Sequence, residues 1–260
     1  NGDGHPPTRR DRLDSRIALV TGASSGLGTH FAMLLAGAGA RVALAARRAD
    51  KLHSLVDRIT QAGGEARALS LDVTDAAGVR RCFDELATWG APDVLVNNAG
   101  VTVTRPLLEQ TEADFDSVID TNLKGCWLVA IEAARRIVAA GRGGSIVNIA
   151  SILGERVAGG VAPYAISKAG VVQATKAMAL ELARYRIRVN ALRPGYVVTD
   201  LNREFLASEA GEKLRARIPS RRFGELTDLD GPLLLLASDA GAAMSGTTVA
   251  VDGAHLVSSL

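Results

Sequence analysis

A tyrosine and a lysine four residues apart, Tyr164 and Lys168, share one face of any helix that carries them. A phenol at its usual pKa of about 10 moves protons poorly at neutral pH. An ammonium held beside it favours the phenolate and brings it towards the working range of an acid or base. Ser151 stands ahead of the pair, just beyond the apolar run 145–150. If that run is a strand, its C-terminal end delivers a hydroxyl to the same place. Alone, the Tyr-x-x-x-Lys spacing is weak, because any amphipathic helix can show it.

A second constellation occupies residues 21–28, Thr-Gly-Ala-Ser-Ser-Gly-Leu-Gly. It follows the apolar run 17–20 and precedes a helical pattern with Phe31, Leu34 and Leu35 on one face. Glycines let a backbone turn tightly and approach a pyrophosphate, and a helix N-terminus adds unpaired N–H groups. The spacing is Gly-x-x-x-Gly-x-Gly, and a plain glycine-rich turn remains the alternative in isolation. The next apolar run, 42–46, ends in Ala46 followed by Arg47 and Arg48, with no carboxylate. In a dinucleotide fold an acidic residue here meets a ribose 2′-hydroxyl, whereas arginine suits a 2′-phosphate. The expectation is NADP(H) in preference to NAD(H), although both arginines could simply begin a solvated helix.

The elements that must position these groups alternate. Short apolar runs at 17–20, 42–46, 66–71, 94–96, 145–150, 187–191 and 247–251 read as strands, separated by helical patterns. Such strands imply a parallel sheet covered on both faces. A long helix is expected over 112–140, with Phe115, Val118, Ile119, Leu123, Trp127 and Ile131 on its apolar face. Asn122 falls within that pattern, either as a satisfied core asparagine or as the mark of a local irregularity. Residues 1–14 read as a mobile tail and 15–260 as one domain. The stretch 196–220 is expected to be a substrate lid, with Leu201, Phe205 and Leu206 facing inward.

Composition narrows the classes. The chain has 260 residues, 47% hydrophobic, enough for one sizeable core, and a formal net charge of +2. Its arginine pairs are scattered and aromatics make up only 4%, which argues against nucleic acid. The four histidines share no metal-ligand spacing, so no metal is expected. Cys82 and Cys126 form no paired motif and read as buried thiols in a reducing, cytoplasmic setting. No run reaches the length of a membrane span.

Together these motifs resemble the classical short-chain dehydrogenase/reductase family. The resemblance rests on the 21–28 loop, Asp72, the Asn-Asn-Ala-Gly run 97–100, Asn122, Ser151, Tyr164 with Lys168, Pro194 with Gly195, and Thr199. It covers residues 17 to about 253. It implies an α/β, Rossmann-type doubly wound fold with a seven-stranded parallel sheet, helices on both faces, and a nicotinamide cofactor. It implies Tyr164 as the acid/base, Ser151 as hydrogen-bond donor to the reacting oxygen, Lys168 tuning Tyr164 and holding the nicotinamide ribose, and Asn122 ordering relay water. Cofactor contacts are expected from Gly22, Ser24, Ser25, Gly26, Leu27 and Gly28, from Arg47, Arg48, Asp72 and Val73, from Asn98, Ala99 and Gly100, and from Pro194, Gly195, Val197 and Thr199. The substrate pocket is expected to be lined by Leu153, Val157, Val161, Tyr196 and Phe205 together with Ser151 and Tyr164, and to be mostly apolar; Tyr164 and Lys168 are expected to touch the cofactor as well.

The function implied is reversible hydride exchange with a ketone or secondary alcohol. Alternatives are a 3-oxoacyl thioester reductase, a sugar-acid dehydrogenase, or a non-catalytic dinucleotide sensor. The resemblance also implies a dimer or tetramer, with Trp127 and Met178 either facing a partner or packing internally. Two positions depart from the family pattern: Ala254, where a glycine is frequent, and Arg193, where a small residue is frequent and where the side chain is expected to point to solvent.

Overall fold

The structure, a computed structural model, describes residues 10–258. The expected mobile tail lies mostly outside them. Its last part does not behave as a tail, since Leu13 is buried and its N–H donates to Ala38 O at 2.9 Å.

Each apolar run becomes a parallel strand, and the inner ones are buried on both faces. The strands are β1 (Ile17–Thr21), β2 (Arg41–Ala46), β3 (Glu65–Ser70), β4 (Val94–Asn97), β5 (Gly144–Ile149), β6 (Ile187–Pro194) and β7 (Thr248–Val251). They form a seven-stranded sheet in the order β3-β2-β1-β4-β5-β6-β7, parallel throughout. The helices are α1 (Gly26–Gly37), α2 (His53–Gln61), α3 (Ala76–Leu86), α4 (Glu112–Ile119), α5 (Cys126–Ala140), α6 (Ala162–Leu182), α7 (Arg203–Leu206), α8 (Glu209–Arg215) and α9 (Asp230–Ala237).

Alternate strand residues feed two cores. Ala18, Val20, Val42 and Leu44 pack with Phe31 and Leu35 of α1, Leu55 and Ile59 of α2, and Leu233 and Leu236 of α9. Ile17, Leu19, Ala43 and Ala45 pack on the other face with Phe83 of α3, Val129 and Ile137 of α5, and Met178 of α6. The strand order reverses direction at β1, between β2 and β4. A crevice opens there at the C-terminal ends of the strands, the place where doubly wound sheets take ligands.

The expected helix over 112–140 is not continuous. A π-helical segment, Asp120–Gly125, separates α4 from α5 and contains Asn122. Val118 of the expected apolar face is fully buried, whereas Phe115 is 41% and Trp127 48% exposed. The sixth strand is longer than expected and runs to Pro194. In 196–220, Leu206 is buried, but Leu201 and Phe205 are 82% and 55% exposed, contrary to the inward orientation expected. The helix there is short and offers only one side to the core.

Candidate active site

The phosphate-loop candidate is built by close approach. Thr21 ends β1 fully buried, and its Oγ1 accepts from the N–H groups of Asn98 (2.9 Å) and Ala99 (3.0 Å), which ties the ends of β1 and β4 together. Asn98 Nδ2 donates to Thr21 O and Gly22 O. A Cβ on Gly28 would sit 2.1 Å from Gly22 O, and one on Gly22 would sit 2.9 Å from Ala99 Cα. Gly22 has φ +63 as well, so glycine is required at both positions. Ser25 caps α1 in an extended conformation with no side-chain cap bond. The first N–H groups of α1 therefore face the crevice.

This crevice encloses about 720 Å³. Gly22, Ser24, Ser25, Gly26 and Leu27 line it from α1 and the loop before it, and Arg47 and Arg48 from the end of β2. Asp72, Val73, Asn98, Ala99, Gly100 and Thr199 complete the set. The residues present fit a dinucleotide: a backbone cradle that any Cβ would fill, a helix N-terminus, and two exposed guanidiniums at the ribose end. Six expected contacts do not line it, Tyr164 and Lys168 of α6 among them. Gly28 sits beneath the loop. Val197 belongs to the core. Pro194 ends β6, and Gly195 N donates to Val251 O at 3.0 Å. Gly195 packs so tightly that a Cβ would lie 2.8 Å from Asp252 Cβ.

Lys168 is buried on α6, and its Nζ donates to Ile149 O at 2.8 Å. The same Nζ lies 5.5 Å from the centroid of the Tyr164 ring, as the i, i+4 spacing dictates. Asn122 is 1% exposed. Its Oδ1 accepts from Val101 N at 2.7 Å, and its Nδ2 donates to Val101 O at 2.8 Å and to Ser167 Oγ at 3.1 Å. Ser167 Oγ in turn donates to Tyr164 O at 2.7 Å. A Cβ on Gly100 would lie 3.4 Å from Asn122 Oδ1 and 3.7 Å from Lys168 Nζ, so β4, the π segment and α6 converge at one point. Ser151 follows β5 in an extended conformation, and its Oγ accepts from Leu153 N at 3.1 Å. Pro163 in the first turn of α6 fixes the start of the helix just before Tyr164.

A buried polar ladder supports this frame and leaves no trace in the sequence pattern. Asn97 Nδ2 donates to Cys126 O (2.7 Å) and Asn148 Oδ1 (3.3 Å), and Asn148 Nδ2 donates to Thr175 Oγ1 (3.0 Å). Burial pushes the Cys126 thiol up to about 12, against the opposing effect of Lys168.

A second cavity of about 680 Å³ adjoins Ser151 through Ile152 and Leu153. Of the expected pocket residues, Leu153, Val157 and Tyr196 line it; Ser151, Val161, Tyr164 and Phe205 do not. Val161 is taken up as the cap of α6, and Phe205 faces outward. The lining is not mostly apolar, because Arg156, Arg217, Arg221 and His255 also form it. Burial, followed by Tyr164, raises the Tyr196 phenol above its ordinary value, with Arg217 opposing. Arg193 is mostly covered rather than pointing to solvent. Its side chain is 12% exposed and pairs with Glu155 Oε2 at 2.5 Å, and its Nε is buried without a partner among the described residues. Ala254 holds φ +67, the left-handed region, which explains why glycine is frequent at this position.

The family model described as Enoyl-(Acyl carrier protein) reductase matches residues 22–254. The 3-oxoacyl-(acyl-carrier-protein) reductase of Staphylococcus aureus is 39% identical over 241 residues, 92% of this chain and 97% of that protein. The 2-dehydro-3-deoxy-D-gluconate 5-dehydrogenase of Escherichia coli is 36% identical over 94% of this chain and 96% of its own length. A gluconate 5-dehydrogenase from Burkholderia cenocepacia, solved with NADP and tartrate, superposes with a TM-score of 0.92 at 38% identity, covering 96% of this chain and 98% of its own. With the sheet order, the loop and these matches in agreement, the chain belongs to the short-chain dehydrogenase/reductase family and is an oxidoreductase acting on alcohol and ketone groups.

Proposed function

We propose that the chain is an NADP(H)-dependent carbonyl reductase, reversible to oxidation of a secondary alcohol, with Tyr164 as the acid/base. The observation that carries this reading is the convergence of Asn122, Lys168 and Gly100 beside Tyr164, next to a cradle that only glycine can build. A nicotinamide dinucleotide, when bound, supplies or accepts the hydride. The chain's own residues handle the proton and the developing charge. Tyr164 gives its phenolic proton to the carbonyl oxygen, or takes it from the alcohol. Ser151 Oγ donates to the same oxygen and holds negative charge as it grows. Lys168 places a cation 5.5 Å from the centre of the Tyr164 ring and would hold the ribose hydroxyls of a bound cofactor. Asn122, with its oxygen and nitrogen fixed by Val101 and Ser167, keeps the π segment open for a water that resupplies the proton.

Arg47 and Arg48 support NADP(H) over NAD(H): they line the cleft where β2 ends, and no carboxylate follows them directly in the chain. The B. cenocepacia relative was solved with NADP, in keeping with this preference. A 3-oxoacyl thioester and a sugar acid are the alternative substrates, matching what the named relatives act on. A cytoplasmic dimer or tetramer is the accompanying proposal. It is supported by exposed Phe115, Trp127, Ile166 and Leu180 on α4, α5 and α6, while Met178 is buried within the chain. Among the described residues, no helix is long and apolar enough to cross a membrane.

The test is NADPH consumption over a panel of ketones by the parent and Tyr164→Phe. A drop in kcat of about 10²- to 10⁴-fold with unchanged NADPH affinity is expected. Cofactor binding with no turnover of any carbonyl would point instead to a dinucleotide sensor.

A further inference from the structure

We infer that the cavity beside Ser151 selects an anion: the carbonyl compound that fits it carries a carboxylate or phosphate, received by Arg217 together with Arg156 and Arg221. The inference rests on the carbonyl chemistry proposed above and adds the charge of its substrate.

At about 680 Å³ the cavity is of small-molecule size. Three distant segments wall it, and each brings a nitrogen-bearing side chain. Arg156 comes from the loop after the 3₁₀ turn Ile152–Gly154. Arg217 and Arg221 come from the chain after α8, and His255 from the 3₁₀ turn His255–Val257. Among the described residues, no aspartate or glutamate lines it. The two carboxylates nearest in the chain are already engaged. Glu155 pairs with Arg193 at 2.5 Å, and Asp252 accepts from the N–H groups of Ala254 (3.0 Å) and Leu256 (2.7 Å).

The guanidiniums meet only neutral oxygens. Arg156 donates to His255 O and Ser258 Oγ, and Arg221 donates to Ala216 O. Among the described residues none of the three belongs to an ion pair, although fifteen ion pairs form elsewhere in the chain. Arginines grouped on one concave wall without a counter-ion repel one another, and a bound anion removes that repulsion.

His255 points the same way independently. It is 8% exposed, lines the cavity, and its Nδ1 has no hydrogen-bond partner among the described residues. A buried polar atom of this kind is normally satisfied, and a ligand oxygen would satisfy it. The His255 ring lies 5.9 Å from that of Tyr196, which lines the same cavity. The cationic wall thus shares one cavity with Ile152 and Leu153, the residues that follow Ser151 in the chain. Leu153, Val157, Leu214 and Pro219 add apolar surface for a short carbon skeleton.

The experiment has a binding arm and a kinetic arm, both on the full chain. Calorimetry measures succinate and inorganic phosphate against the parent, Arg217→Gln and Arg217→Lys, which separates the carboxylate from the phosphate source. Kinetics compare a 3-oxo acid with its neutral ethyl ester. The parent is expected to prefer the acid in kcat/KM by about tenfold or more, the worth of one charged hydrogen bond. Arg217→Gln should lose that preference through KM, and Arg217→Lys should keep part of it. Equal use of acid and ester by the parent overturns the inference and leaves the reductase reading standing. So does a preference that Arg217→Gln does not change, or turnover confined to protein-carried thioesters. If no carbonyl is turned over at all, the reaction reading fails instead. Calorimetry then decides alone, and a parent that binds neither anion overturns the inference.

Discussion

The two cavities are built by opposite means. The cofactor crevice is made of backbone. Its shape comes from the ends of β1, β2 and β4, from glycines with no room for a Cβ, and from the start of one helix. The second cavity, the proposed substrate site, is made of side chains carried largely on connections after β5, α8 and β7. The first leaves almost no choice of residue. A Cβ at position 28 would meet a backbone oxygen at 2.1 Å, a clash that only glycine avoids. The second leaves wide choice, because loop side chains can change without disturbing the sheet. A fold of this kind holds its cofactor through geometry and chooses its substrate through loops.

Four variants sharpen or break that contrast, in order of expected effect. Gly28→Val forces a side chain into Gly22 O, and NADPH affinity should fall more than about a hundredfold, the order of effect of lost positioning. NADPH fluorescence titration with circular dichroism on the same sample checks it. Near-normal binding by a folded variant would show that the cradle is not set by close approach. Arg47→Asp should weaken NADPH by about tenfold or more, with a much smaller change for NADH. Equal losses would remove the 2′-phosphate role and leave the crevice defined by backbone alone.

Ala254→Gly relieves a left-handed residue in the turn that leads into His255 and the substrate cavity. It should stabilise the chain by about 0.5–1 kcal/mol in urea unfolding. The opposite sign would mean that the stiffness of the alanine outweighs its strain. The smallest effect concerns pH. Burial, then Arg156, hold the His255 imidazole below its ordinary 6.5; Asp252 opposes and Arg217 adds to the lowering. Its folded state therefore takes up a proton at lower pH than its unfolded state. Between these two values the unfolded chain binds more protons, so stability is complete above pH 6.5 and declines as pH falls towards the folded pKa. Melting temperatures from about pH 7.5 to 5.5 should decline less for His255→Gln than for the parent; identical slopes would assign the decline to other groups.

The strands were legible because both their faces are buried, which leaves uninterrupted apolar runs such as Ile17 to Val20. The glycine loop was legible because its residues are contiguous and their geometry is local. Tyr164 and Lys168 were legible as a pair because helical spacing alone puts them together. The break at Asn122 was only half legible. A π segment keeps an apolar pattern nearly intact, so the periodicity over 112–140 reads as one helix. The orientations of Leu201, Phe205 and Arg193 were not legible. Exposed apolar residues in or just before a short helix look like buried ones in sequence, and Arg193 pairs with Glu155, thirty-eight positions earlier, which no local pattern announces.

By itself the sequence determined the parallel sheet, the glycine loop and the Tyr164–Lys168 pair, because each depends on residues close in the chain or on burial that leaves a periodic trace. Only the tertiary structure decided that Arg156, Arg217, Arg221 and His255, which have no spacing in common, share one wall without a carboxylate among them. Charge in the sequence is a balanced sum of +2. Charge in the fold depends on which groups the chain crossings bring together, and Coulomb energy falls with distance in space rather than along the chain.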